Sequence, residues 1–165
     1  MTIKQLIWRL IFPMTIILFG TITKWWYGLP VEAPDTMMIG FPLAFISDGW
    51  HTSMSLQIFI LELLLDFIVY FSVCFSFTFI IHRYLVKISV PKFASVLLWA
   101  FSTLIIAIAT WIASFPEQKI QIRRDWDMKI LVTGYKLTWT HKDRPDFSNT
   151  KGHYFLEGTE KKPSK

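Results

Sequence analysis

Residues 55–81 read SLQIFILELLLDFIVYFSVCFSFTFII, an apolar stretch interrupted by two carboxylates, Glu62 and Asp66. A helix rises about 1.5 Å per residue and the hydrocarbon core of a bilayer is about 30 Å thick, so this stretch is long enough to span a membrane. The two acids are spaced i, i+4 and therefore share one face of the predicted helix. Because an ionisable side chain at bilayer depth is costly, a partner group, water or a proton must compensate each acid.

Composition also favours a membrane protein. Hydrophobic residues make up 53% of the 165 residues, mean hydropathy is +0.41, and only 18% of residues are charged. A soluble domain of this length is normally less apolar. The net charge of +5 does not indicate nucleic-acid binding, because the basic residues lie at the ends of the apolar stretches and in the tail, next to lipid headgroups. Cys74, the single cysteine, is predicted to pack in the interior.

Two further stretches are long enough to span. Residues 5–27 form the first predicted helix, with aromatic anchors at Trp8 and in the cluster at 25–27, and Gly20 offers a close-packing position. No small-residue cleavage motif follows it, so it is not interpreted as a signal peptide. Residues 93–115 form the third helix, which carries no charge. The prediction is thus a membrane domain over residues 1–115 with spans at 5–27, 55–81 and 93–115.

The segment between the first two spans, residues 28–54, contains no lysine or arginine. Its prolines and glycines exclude a long helix. The central MMIGFPLAFI is too short to span and too apolar for a solvated loop. We therefore predict an interfacial or re-entrant segment within a long outer loop.

The tail, residues 116–165, is polar and alternates apolar and polar residues with a period near two between positions 119 and 141. This pattern predicts two or three short antiparallel strands, with Gly134 as a turn residue. A small hairpin is marginally stable alone, so it must dock on another surface. The predicted fold class is an all-α membrane protein with three transmembrane helices, the long outer loop and a small C-terminal β-hairpin tail.

The distribution of basic residues predicts the orientation. Lys4 and Arg9 precede the first span, and Arg83, Lys87 and Lys92 follow the second. Because lysine and arginine near spans favour the cytoplasm, the N-terminus is predicted to be cytoplasmic and the tail periplasmic, in a multi-pass inner-membrane protein. The basic residues at 119–129, just after the third span, argue in the opposite direction.

Glu62 and Asp66 are the leading candidates for function. One interpretation is a polar contact that fixes the helix against another subunit, and a second is a proton or cation pathway that Tyr70 also lines. A third is a watery crevice without transport. Within the chain, Lys24 is expected near the outer end of the first helix, within reach of Glu62.

The outer loop supplies a weaker set of candidates. Asp48 and His51, with methionines nearby, could bind copper or act as acid and base, but they have no recognisable ligand spacing, and a turn aspartate and an interfacial histidine are the favoured explanation. Glu32 and Asp35 have no basic neighbours in sequence and are expected to meet a basic surface on a partner or on the tail.

No nucleotide-binding, nucleophile or metal-ligand motif occurs, so neither a cofactor nor a metal site is predicted. The favoured function is a non-catalytic integral subunit or accessory protein of a larger membrane complex, with other membrane subunits and the bilayer as partners. The alternative is a small proton- or cation-coupled carrier or channel component that uses Glu62 and Asp66. A weaker alternative is an enzyme acting at the outer interface through Asp48 and His51.

Overall fold

The computed structural model describes residues 2–30, 35–49, 55–126 and 128–140. Within these residues three helices are long and apolar enough to cross a membrane: α1 (Ile3–Thr21), α2 (Ile60–Leu85) and α3 (Lys92–Ala113). Wider π-helical turns occur in α1 at Ile7–Ile11 and at the end of α2 at Ile81–Leu85. The prediction of three spans is confirmed by length and composition.

The described residues also form a six-stranded sheet, so the predicted all-α class is wrong. The strand order is β5-β4-β3-β2-β1-β6. Neighbours pair antiparallel except β4 and β5, which pair parallel. The strands are β1 (Ile22–Pro30), β2 (Thr36–Ile39), β3 (Ile46–Asp48), β4 (Leu56–Phe59), β5 (Lys119–Gln121) and β6 (Met128–Leu137).

Two predicted spans were too long because apolar strands adjoin the helices. The first helix ends at Thr21, and residues 22–30, rich in β-branched and aromatic side chains, continue as β1. The second helix begins at Ile60 after the strand β4. The predicted interfacial or re-entrant segment is likewise a strand, a turn and a strand, since β2 and β3 flank residues 40–45. In these segments the backbone N–H and C=O groups form hydrogen bonds between strands and not within a helix.

The predicted C-terminal hairpin is also wrong. β5 pairs with β4 and β6 pairs with β1, so the two strands lie at opposite edges of the sheet. Gly134 is not a turn residue: it lies inside β6 opposite Trp25, and a Cβ there would come within 2.7 Å of the Trp25 indole nitrogen. The register shifts beside Leu131, where β6 has one extra residue as a β-bulge. The predicted boundary at 115/116 falls between α3 and β5, and the sheet combines strands from both sides of it.

Helix α1 packs against both other helices, whereas α2 and α3 have little contact with each other in the described chain. Pro13 explains one contact between α1 and α3. In the wider turn Phe12 donates to the Ile7 carbonyl, and the corresponding donor for the Trp8 carbonyl would be Pro13, which has no amide hydrogen. The Trp99 indole of α3 donates to that carbonyl at 3.1 Å.

All of the described strands lie at one end of the helices. β1 follows the C-terminal end of α1, β4 precedes the N-terminal end of α2, and β5 follows α3. The N-terminus and the 86–91 linker consequently lie at the other end. The described strands of the 28–54 segment and of the tail thus lie at one end of the helices, and the start of α1 and the 86–91 linker lie at the other, while the orientation in a membrane stays a prediction.

Candidate functional site

A cavity of about 630 Å³ lies at the N-terminal end of α2, where the helix meets the sheet. Its walls come from the first turns of α2, from the 40–45 turn between β2 and β3, and from the linker between β5 and β6. The lining residues are Leu43, Ala44, Leu61, Glu62, Leu65, Arg123, Arg124, Asp125 and Trp126.

Asp66 fixes the 40–45 turn to α2. Its side chain is fully buried, and its Oδ1 accepts a hydrogen bond of 2.9 Å from the Leu43 amide. The turn takes its shape from Gly40, whose φ of 151° is one that side-chain-bearing residues rarely adopt. The second carboxylate oxygen of Asp66, Oδ2, is buried without a hydrogen-bond partner among the described residues. The backbone of the turn, at Leu43 and also at Phe41, thus stabilises the carboxylate.

Glu62 fixes the β5–β6 linker to the same helix. Its Oε1 accepts from the Arg124 amide at 3.2 Å, and the Leu61 amide donates to the Ile122 carbonyl at 2.9 Å. The second bond satisfies one of the amides that a helix leaves unpaired in its first turn. The Oε2 atom of Glu62 is buried and has no hydrogen-bond partner in the described chain. A negative charge in this turn is also favoured by the helix dipole.

The cavity contains both signs of charge. Arg123, Arg124 and Asp125 line it together with Glu62, and the guanidinium carbon of Arg124 lies 5.5 Å from the centre of the Trp126 ring. Within the part of the chain that is described, neither arginine side chain forms an ion pair with Glu62. The site therefore has guanidinium groups that could bind an anion and carboxylates that could bind a hydrogen-bond donor or a cation.

Lys24 and Tyr70 take other positions. The Lys24 ammonium lies 3.7 Å above the Trp26 ring, so the structure pairs it with an aromatic face rather than with Glu62 as expected. The Tyr70 hydroxyl donates to the Ile22 carbonyl at 2.8 Å, where α1 passes into β1. Tyr70 thus fixes α2 to the start of the sheet.

Of the outer-loop candidates, Asp35 and Asp48 belong to the described residues, and neither lines the cavity beside Glu62. Asp35 accepts a hydrogen bond from the Tyr27 hydroxyl. Asp48 is the last residue of β3. Burial of Lys136 lowers the pKa of its ammonium from 10.5, and the negative charge of Asp48 opposes this shift. Glu32 and His51 lie outside the described residues. Within the described chain no three acids, histidines or cysteines group as a metal site would require.

Sequence reasoning missed the residues opposite the acids. In the run RRDW at 123–126, a pair of arginines near a tryptophan follows shortly after a span, and this pattern is a signal for a headgroup-level site. The amides of Leu43 and Arg124 carry no sequence signal at all, because every residue except proline has one.

No family model matches the chain, and neither a curated protein nor a solved structure shows significant similarity to it.

Proposed function

We propose that this protein is a non-catalytic integral subunit or accessory protein of a larger membrane complex, and that its sheet is the docking surface for a partner subunit. The three apolar helices anchor the sheet at the membrane surface, and the acids of α2 hold two of its connecting segments in place.

The observation that carries this proposal is the edge strand β6. It has ten residues and pairs on one side with β1, while its other side is an edge of the sheet that the described residues form. Ile130 and Tyr135 are exposed along it. A long edge strand with apolar side chains normally has to be covered, and an extended segment of another chain can add to it through backbone hydrogen bonds. The bulge at Leu131 limits but does not remove this capacity.

Co-purification of the full-length tagged protein in a mild detergent tests the proposal. The unmodified protein should be recovered together with a partner, in a complex of defined mass that exceeds the 19.4 kDa of the single chain. The Ile130→Lys variant should lose the partner while its abundance in the membrane stays unchanged, because a charge on the edge opposes strand addition. Ile122→Lys, the same change at an exposed position near the opposite edge, should retain it. Recovery of a single chain alone from native membranes would refute the proposal.

We further propose an inner-membrane location with a cytoplasmic N-terminus and a periplasmic sheet. The support is the basic flank of α1, because early helices usually dominate orientation. Cysteine labelling from outside, in a Cys74→Ser background, should modify Ile122→Cys, which lies away from the proposed docking edge, and leave Ser89→Cys unmodified. Both positions are exposed, so the opposite labelling pattern would reverse the orientation.

The alternative, a small proton- or cation-coupled carrier component, is favoured by one observation. Glu62 and Asp66 each retain a buried oxygen with no hydrogen-bond partner in the described chain, and such an oxygen can take up a proton or a cation. In that case Glu62→Gln with Asp66→Asn would abolish ion flux in liposomes and leave partner recovery intact. Under the subunit proposal the unmodified protein carries no flux to lose.

A further inference from the structure

The cavity beside Glu62 lies at the level of lipid headgroups. Glu62 is in the first turn of α2, a helix apolar enough to span the membrane, so this turn falls at the boundary between the hydrocarbon core and the headgroups. Leu43, Leu61 and Leu65 line the cavity and are exposed. An apolar, exposed wall beside charged groups matches a molecule that has acyl chains and a polar head.

The charged groups of the cavity specify the head. Arg123 and Arg124 offer guanidinium groups, which bind phosphate oxygens in pairs of hydrogen bonds. Glu62 offers a buried Oε2 atom that has no hydrogen-bond donor among the described residues. A buried carboxylate oxygen without a donor is costly, so a ligand that donates to it gains affinity.

We propose that this cavity binds the headgroup of an aminophospholipid, phosphatidylethanolamine, with its phosphate on the two arginines and its primary ammonium on Glu62. Phosphate and ammonium are two carbons apart in this headgroup, and the cavity of about 630 Å³ is of the size that small-molecule sites have. A choline headgroup has the same charges but no N–H to donate. The anionic headgroup of phosphatidylglycerol would satisfy the arginines but would offer Glu62 only neutral hydroxyl donors, whose hydrogen bonds to a carboxylate are weaker than those of an ammonium.

Native mass spectrometry of the full-length protein in detergent tests this assignment. The protein is offered equimolar phosphatidylethanolamine, its mono- and dimethylated forms, phosphatidylcholine and phosphatidylglycerol, all with the same acyl chains. We expect retention to fall as methylation removes donors, with about a tenfold preference for phosphatidylethanolamine over phosphatidylcholine, the effect of one charge-assisted hydrogen bond. Equal retention of phosphatidylcholine, or stronger retention of phosphatidylglycerol, would overturn the proposal. This series needs no variant.

Variants assign the two halves of the headgroup to residues. Glu62→Gln keeps an oxygen for the Arg124 amide and should abolish the preference over phosphatidylcholine. Arg123→Ala with Arg124→Ala should lower retention of both zwitterionic lipids. Lys129→Ala, on β6 and not among the lining residues, should change neither result. If Glu62→Gln still prefers phosphatidylethanolamine over phosphatidylcholine, the Glu62 carboxylate does not bind the ammonium.

A last arm distinguishes the lipid from its soluble headgroup. Phosphoethanolamine in large excess should not displace the retained lipid, because it lacks the chains that contact the exposed leucines. Full displacement would overturn the assignment to a membrane lipid and indicate a soluble phosphate ester instead.

Discussion

Helices α2 and α3 both pack on α1, but different side chains fix them there. On the α2 side the contacts are aromatic: the Phe67 ring lies 6.1 Å from Phe12 and 5.7 Å from Phe19, centre to centre. On the α3 side the Trp99 ring also lies near Trp8 and Phe12, at 5.2 and 5.9 Å centre to centre, but small and polar groups add to these aromatic contacts. The Ser102 hydroxyl lies 3.0 Å from the Pro13 carbonyl, and Gly20 allows Ile105 to approach closely. Close approach and interhelical hydrogen bonds are how helices associate where lipid removes the hydrophobic driving force.

The two helices also differ in their relation to the sheet. α2 accepts hydrogen bonds from two connecting segments of the sheet through Asp66 and Glu62. The described side chains of α3 bond only to α1 or within α3 itself, as Trp99 and Ser102 do. The comparison implies that changes around α2 will displace the sheet, whereas changes in α3 will loosen the helices and leave the sheet in place.

The largest effect is expected from Gly40→Ala. A Cβ at this position would overlap the Leu43 carbonyl oxygen and come within 2.7 Å of the Phe45 nitrogen, and both are backbone atoms that cannot move aside. Together with the unfavourable φ, the change should cost about 3 kcal/mol or more. Thermal unfolding in detergent and amide exchange across residues 36–48 measure it.

Gly20→Ala is the matched comparison. Its Cβ would lie 2.5 Å from Cγ2 of Ile105, a side-chain atom, so α3 can adjust. This variant should cost less and leave amide exchange in the sheet unchanged. Equal losses in both variants, or fast exchange in the sheet of Gly20→Ala, would contradict the division between α2 and α3.

A smaller effect is expected when Asp66 is replaced. Asp66→Leu removes the acceptor for the Leu43 amide and should destabilise the 40–45 turn by about 1–3 kcal/mol, which is at least about a fivefold rise in amide exchange there. Asp66→Asn keeps an oxygen acceptor and should change exchange less. Because leucine is better tolerated in a membrane helix, overall abundance is a poor readout and exchange at the turn is the relevant one. Unchanged protection in Asp66→Leu would mean that the bond does not hold the turn.

Ser102→Ala should have a still smaller effect, about 1 kcal/mol, since one interhelical hydrogen bond is lost. Thr103→Val is its control, because the Thr103 hydroxyl bonds only to carbonyls of its own helix. We expect Ser102→Ala to lower the unfolding temperature more than Thr103→Val does, with exchange in the sheet unchanged in both. A larger loss in Thr103→Val would show that Ser102 does not join α3 to α1.

How much of this fold the sequence predicts depends on the range of the interaction. Apolar runs long enough to span predict α2 and α3 well, because helix hydrogen bonds are local. The sequence does not predict the sheet, because β1 pairs with β6, which lies about 100 residues later in the chain. The pairing of Trp25 with Gly134, for example, has no signal in the residues next to either one. The aromatic, β-branched segment at 22–30 fits a membrane helix by hydropathy and a strand by propensity. Only long-range pairing decides between them.

The candidate site shows the same division. The cost of burying charge identifies Glu62 and Asp66 from sequence. Their hydrogen-bond donors do not follow from it, since the Arg124 amide comes from 62 residues away and the Leu43 amide from a turn that was predicted to be interfacial. The expected contact of Lys24 with Glu62 assumed a helix at residue 24, whereas Lys24 lies in β1 and its ammonium lies over the Trp26 ring.

The smallest effect concerns the pH dependence of the sheet and comes from Lys136 on β6. Burial lowers the pKa of this ammonium from 10.5 in the folded protein, and Asp48 partly opposes the shift. Between the lowered pKa and 10.5 the unfolded chain binds more protons than the folded one, so the free energy of unfolding rises with pH across that interval. Below the lowered pKa the ammonium is charged in both states, and the destabilisation caused by burying it is constant. Because Lys136 remains partly exposed, the rise should be slight.

The measurement is the unfolding temperature in detergent, followed upwards from about pH 8 towards 10.5 for the parent and for two variants. Other groups titrate in this range, so the informative quantity is the difference between each variant and the parent. In Lys136→Gln the unfavourable charge is absent at every pH, so this variant should be slightly more stable than the parent at the lower end, and the gap should close as pH rises. Lys129→Gln, an exposed position on the same strand, should run parallel to the parent. A gap that stays constant in Lys136→Gln would assign its stability change to lost side-chain contacts, because only the ammonium's titration makes the gap depend on pH.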